Sequence, residues 1–137
     1  MWSLACVVFE MVTGDLLFDP QAGEKYDRDE DHLALFLELL GKMPRRVYDK
    51  GKYSNYYFRS NGNLRHISRL RYWPLDRVLS EKYGLPADEA KALAAFLEPM
   101  LEYEPDRRAT AAEMLKHPWL RGDVAAAAAR MRRADRD

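Results

Sequence analysis

Carboxylates cluster in this sequence densely enough to bind a cationic partner. Residues 15–38 hold eight acids (Asp15, Asp19, Glu24, Asp27, Asp29, Glu30, Asp31 and Glu38) against Lys25 and Arg28 alone. Residues 42–71 reverse the sign, with nine bases against Asp49. The formal net charge of the whole chain is zero, but the two blocks separate charge of opposite sign along it. A run of carboxylates can hold guanidinium or ammonium groups through charge-assisted hydrogen bonds. Composition alone favours a plainer role, a solvated helix start and loop, and both readings stand at this point.

Other chemistries are poorly supplied. Cys6 is the single cysteine, so no internal disulfide forms. It lies in an apolar segment and reads as a small buried hydrophobe. Three scattered histidines and one thiol give no metal-ligand spacing. Zero net charge argues against bulk attraction to nucleic acid or membrane. The basic, aromatic stretch 45–73 has the residue types that stack on RNA, yet it follows no recognised module. The apolar start lacks a basic leader region and is interrupted by Glu10, so neither a targeting signal nor a membrane span is expected. A reducing, intracellular compartment fits this pattern.

Helices must position these groups. Residues 2–13 are apolar on nearly every side and end at Gly14, so they read as a helix packed on all faces, the middle of a larger domain. A loop follows over 15–28. The spacing of Leu33, Phe36, Leu37 and Leu40 predicts a helix over 29–40, with Asp29, Glu30 and Asp31 suiting its N-terminal dipole. Residues 45–74 show no single period, and their aromatics are expected to pin an irregular insert to the body of the domain. A short helix is expected over 75–82. A longer one over 87–101 starts after Pro86 and is weakened by Pro99. Thr110-Ala111-Ala112-Glu113 is a capping box that starts the last firm helix. Trp2, Phe9 and Trp119 read as core by their apolar spacing. The Ala/Arg-rich tail, 121–137 with Arg130, Arg132, Arg133 and Arg136, reads as frayed or disordered.

Two signatures bracket the chain. The first is Trp2-Ser3-Leu4-Ala5-Cys6, then Glu10, Thr13-Gly14 and Leu17-Phe18. The second is Pro105-Asp106-Arg107-Arg108-Ala109-Thr110-Ala111, then His117-Pro118-Trp119-Leu120. In order and spacing they resemble the C-terminal half of the large lobe of a eukaryotic protein kinase. Between them, Gly14-Asp15-Leu16-Leu17-Phe18, Gly23-Glu24, Tyr26, Arg28 to His32, Glu38 to Lys42 and Gly51 to Ser54 resemble the SR-protein kinases. Ala5, where most kinases have glycine, agrees with that family.

The resemblance implies an all-α fold over residues 1–120: a central buried helix, a docking helix, an irregular insert and two final helices. It implies a serine/threonine kinase of Arg/Ser-rich splicing factors, working in the cytoplasm and nucleus. It also implies an acidic substrate-docking groove formed by Asp15, Glu24, Asp31 and Glu38, with Lys82 at its edge. Trp2 and Arg108 take family positions at the start of the central helix and before the final helix. The spacing is compatible with docking. Asp31 and Glu38 are seven residues apart, two turns, and so share one face of their helix.

The complete family uses ATP and magnesium, but this chain supplies no residues for them. It contains no Gly-x-Gly, His-Arg-Asp, Asp-Phe-Gly or Ala-Pro-Glu. Arg108 is therefore expected to lack the glutamate that pairs with it in kinases. Two alternatives follow: a catalytically inactive docking module for Arg/Ser-rich proteins, or a piece of a complete kinase with no separate role. The bare face of the first helix is expected to leave an apolar patch. The purified chain is expected to show no turnover with radiolabelled ATP and an Arg/Ser peptide, and incorporation of label above background contradicts this.

Overall fold

Helices are the only regular elements among the described residues, 1–134, of the computed structural model. The side chains of residues 132–134 are not described, and Arg136 lies outside the described range. Two compact units divide the chain, one of residues 1–15 and 75–137 and the other of residues 16–74.

The first unit is built around an alanine-rich helix, α6 (Ala87–Leu97). Residues 92–97 are buried without interruption, as is Ala90. A helix of small side chains lets its neighbours approach closely. The neighbour that does so is α8 (Val124–Ala134), whose Ala127 and Ala128 pack on Ala92. Trp119 and Val124 cover this contact, and Trp119 stacks on Phe96 at 4.7 Å. The tail is thus helical over residues 124–134 and packs on α6 through Ala127 and Ala128, where the sequence reads as frayed or disordered. Alanine has the highest intrinsic helix propensity, and an alanine face fits an alanine face. Asp123 starts the helix by accepting from the Ala126 N–H at 3.0 Å.

Helix α1 (Trp2–Thr13) belongs to the same unit and is covered on one side only. Ala5 and Phe9, one turn apart, are buried, whereas Leu4, Val7, Met11 and Val12 are exposed. Phe9 meets the Tyr83 ring edge-on at 5.5 Å. The bare apolar face expected of this helix is present in Leu4, Val7, Met11 and Val12. Trp2 and Trp119 are half-buried rather than core. Arg108 has partners after all: Nε donates to the Glu102 carbonyl at 2.9 Å, Nη2 to the Tyr103 carbonyl at 3.4 Å, and its guanidinium lies 5.3 Å over the Trp2 ring.

The remaining pieces of this unit are short. Helix α5 (Leu75–Arg77) runs on as a π-helical turn, Val78–Lys82. After α6, Pro99 sits in a 3-10 turn, Glu98–Met100, because it cannot donate to an α-helical bond. Helix α7 (Ala111–Met114) starts from the expected capping box. Thr110 Oγ1 accepts from the Glu113 N–H, and Glu113 Oε2 accepts from the Thr110 N–H at 2.7 Å.

In the second unit, α2 (Arg28–Leu40) is capped by Asp27, which accepts from the Glu30 N–H at 2.8 Å. Its fully buried residues are Glu30 and Ala34, while Leu33, Phe36, Leu37 and Leu40 are half-buried. Glu30 faces the insert. Oε1 accepts from the His66 backbone N–H at 2.8 Å, and Oε2 lies 2.6 Å from His66 Nδ1. The insert contains α3 (Arg45–Tyr48), α4 (Ser54–Tyr57) and one antiparallel bridge, Phe58 to Leu64. Tyr48 and Phe58 stack at 4.9 Å and are buried, so these two aromatics do pin the insert. Tyr53, Tyr56, Tyr72 and Trp73 are exposed and contribute little burial. Gly62 turns the chain back with φ 82, and a Cβ there would meet the Tyr48 hydroxyl at 3.1 Å.

Two outcomes follow. Glu30→Ala strips the acceptor from two donors of the insert and is expected to lower stability by about 1–3 kcal/mol. Glu30→Gln, which keeps an acceptor, is expected to lose less; urea midpoints read both. Acid is expected to destabilise the chain in two stages. Burial holds the proton affinity of His117 below its ordinary 6.5, and the Thr110 N–H holds the Glu113 carboxyl below its ordinary 4.5. Each group binds its proton more weakly folded than unfolded, so its contribution is complete above the unfolded value and is lost as pH falls through the folded one. Urea midpoints measured from pH 7.5 to 3 should decline accordingly, with the lower stage reduced in Glu113→Gln.

Candidate functional site

The acidic block is not a uniform surface, and hydrogen bonds sort its members by task. Asp27 caps α2 and Glu30 is buried, so neither is available to a ligand as a free carboxylate. Tyr57 places its hydroxyl 3.4 Å from a carboxylate oxygen of both Asp27 and Asp29. Partial desolvation and these two negative charges push its phenol up to about 12. The sequence reading missed this tyrosine and the burial of Glu30. A glutamate one turn from the apolar stripe carried no signal, because its partner lies 36 residues away in an aperiodic insert.

The docking candidates fall in both units. In the second, Asp31 and Glu38 lie on α2, about 10 Å apart along its axis by the rise of an ideal helix. Each already holds backbone. Asp31 Oδ2 accepts from the Gln21 N–H at 2.8 Å, which fixes the loop before the helix. Glu38 Oε1 accepts from the Arg71 N–H at 2.9 Å, while its carbonyl accepts from the Trp73 N–H at 2.8 Å. These bonds orient the carboxylates and leave one oxygen of each without a bond of its own among the described residues. A two-oxygen grip on a guanidinium, expected from the residue type, would have to share an oxygen with the backbone. Glu24 sits in an exposed turn closed by Gly23 N–H donating to the Tyr26 carbonyl at 3.1 Å. A Cβ on Gly23 would lie 2.5 Å from the Tyr26 ring, so a larger residue there displaces that ring. Glu24 makes no hydrogen bond or ion pair among the described residues.

In the first unit the structure does bring Asp15 and Lys82 together. Asp15 Oδ2 lies 3.7 Å from Lys82 Nζ and accepts from the Tyr83 hydroxyl at 2.9 Å. Lys82 also lies over the Tyr83 ring at 4.8 Å. Its proton affinity is raised by the Tyr83 contact first and by Asp15 second. Both charged side chains are about half exposed, so this pair is worth about 0.2–1 kcal/mol and is sensitive to salt. Tyr83 is a second residue the sequence reading missed.

No group of three His, Cys, Asp or Glu could hold a metal ion among the described residues. No described helix is long and apolar enough to cross a membrane.

The pattern of the protein kinase domain family matches residues 1–120. The chain belongs to the protein kinase family. Its curated relatives place it with the SR-protein kinases. It is 56% identical over 121 residues to the serine/threonine-protein kinase SRPK of Physarum polycephalum, covering 88% of this chain and 28% of that protein. Against the serine/threonine-protein kinase SKY1 of Saccharomyces cerevisiae the identity is 49% over 121 residues, covering 88% of the chain and 16% of the relative. Human SRSF protein kinase 3 is 52% identical over 120 residues, with 88% and 21% covered. The chain therefore spans less than a third of the length of these relatives. It corresponds to the C-terminal part of a kinase large lobe and has the all-α structure expected of that part. The kinase match ends at Leu120, so α8 lies outside it.

Proposed function

We propose that this part of an SR-protein-kinase-like chain holds Arg/Ser-rich protein segments for phosphorylation by the complete kinase. The complete kinase then transfers phosphate from ATP with magnesium, and does so in the cytoplasm and nucleus. The observation that carries the reading is the pair Asp31 and Glu38. They stand on one face of a helix, oriented by backbone hydrogen bonds, within a sequence about half identical to kinases named for SR proteins. An extended chain rises about 3.3 Å per residue, so a few residues of an Arg/Ser peptide span the separation of these two acids. Glu24 and, in the other unit, Asp15 beside Lys82 are the further docking candidates of the same reading.

Exposed charge pairs are individually weak, about 0.2–1 kcal/mol, so docking depends on several at once and falls steeply with salt. The chain is expected to bind an Arg/Ser peptide at low ionic strength and to release it as salt rises. Asp31→Asn with Glu38→Gln removes both charges and keeps both backbone acceptors. This double variant is expected to weaken binding about tenfold, roughly 1.4 kcal/mol, with unchanged unfolding. Fluorescence anisotropy at a series of salt concentrations measures it, and equal affinity in the folded double variant would defeat the docking reading.

A further inference from the structure

The basic block has no part in holding a basic substrate, and its arrangement points elsewhere. In the second unit the bridge between Phe58 and Leu64 is flanked by two ladder bonds, Arg59 N–H to the Asn63 carbonyl at 2.8 Å and Arg65 N–H to the Tyr57 carbonyl at 2.9 Å. This ladder sets Arg59 and Arg65 on neighbouring segments. Their guanidiniums are then pinned by backbone carbonyls. Arg59 Nη2 donates to the Arg65 carbonyl at 3.1 Å, and Arg65 Nε donates to the Asn55 carbonyl at 2.7 Å. Neither has a carboxylate partner among the described residues. Both line a cleft of about 530 Å³ together with Arg45, Asn55, Phe58 and Asn61. The one acid in its wall, Asp49, is already paired with Arg45 at 3.3 Å. An adjoining cleft of about 600 Å³ shares Arg59 and Asn61 and adds Lys42.

We propose that this cleft is an anion site that takes a phosphoserine-bearing protein segment. Two uncompensated guanidiniums, each with one N–H fixed on backbone and the others unused, form a preorganised set of donors. A phosphomonoester carries about −1.5 to −2 charge near neutral pH and three acceptor oxygens, which matches that set better than a single carboxylate does. Amide side chains at Asn55 and Asn61 stand in the same wall to hydrogen-bond the peptide. The aromatic rings of the cleft speak against RNA. Tyr48 and Phe58 are buried against one another and offer no exposed face for a base. This site does not depend on the carboxylates of α2 and stands whether or not they dock Arg/Ser segments.

The test uses the whole 137-residue chain and a fluorescent peptide of Gly and Ala flanking one phosphoserine, free of arginine so that acidic docking does not contribute. The phosphopeptide is expected to bind, with the unphosphorylated peptide and its glutamate counterpart each weaker by about tenfold or more. Arg59→Gln and Arg65→Gln are each expected to weaken binding about tenfold, and Arg59→Lys, which keeps the charge and loses the planar fork, by several-fold. Arg77→Gln, whose residue is paired with Glu81 in the other unit, is expected to leave binding unchanged. Unfolding curves establish that each variant is folded. Three results overturn the proposal: equal binding of the unphosphorylated peptide, undiminished binding by folded Arg59→Gln and Arg65→Gln, or an oligouridylate that binds more tightly than the phosphopeptide and loses affinity in the same variants.

Discussion

A buried carboxylate organises the second unit. Glu30 is one of the most deeply buried side chains of the chain, and a charge in that position is tolerated only where hydrogen bonds replace water. Both its oxygens are met by a single residue, His66, through the backbone N–H and the imidazole. That demand fixes where the insert must return to α2. With residue 66 held there, Leu64 is carried inward beside Phe58, and Tyr48 stacks on Phe58 above the Gly62 turn. The helix that presents Asp31 and Glu38 and the insert that presents Arg59 and Arg65 are thus tied through Glu30, and the Tyr57 hydroxyl and the Arg71 and Trp73 N–H groups add bonds to the same helix and its cap.

The acidic block shows how hydrogen bonds divide labour among residues that look alike. Asp27 is spent on capping, Glu30 on the interior, and Asp29 faces a tyrosine hydroxyl. Asp31 and Glu38 each secure a backbone N–H from a flanking loop while retaining accessible negative charge. A carboxylate oriented in this way loses less side-chain entropy when it meets a guanidinium, which offsets part of the usual weakness of surface pairs.

The first unit rests on a different principle, closeness of approach. α6 buries small residues along most of its length, and α8 uses its own alanines to lie against it. Trp119 and Phe96 close the end of that contact, and Arg108 ties the loop before α7 to the start of α1 through two carbonyls and the Trp2 ring. The apolar residues left exposed on α1 mark a face that this unit does not cover.

Much of this was legible in the amino-acid order. The bounds of α1 and α2, the capping box at Thr110, the weakening at Pro99 and the family itself all rest on neighbours a few residues apart, where steric and hydrogen-bonding preferences act locally. The candidate docking acids were nameable for the same reason, since seven residues on a helix is a local relation. Tertiary structure alone decided which acid is buried, that Arg59, Arg65 and Arg108 bind carbonyls, and that an alanine-rich tail docks as a helix. Each of those outcomes depends on a partner beyond the residue's immediate neighbours, such as His66 for Glu30 or Ala92 for Ala127. Whether a charge or a small residue is satisfied by water or by the chain cannot be read from its own neighbours.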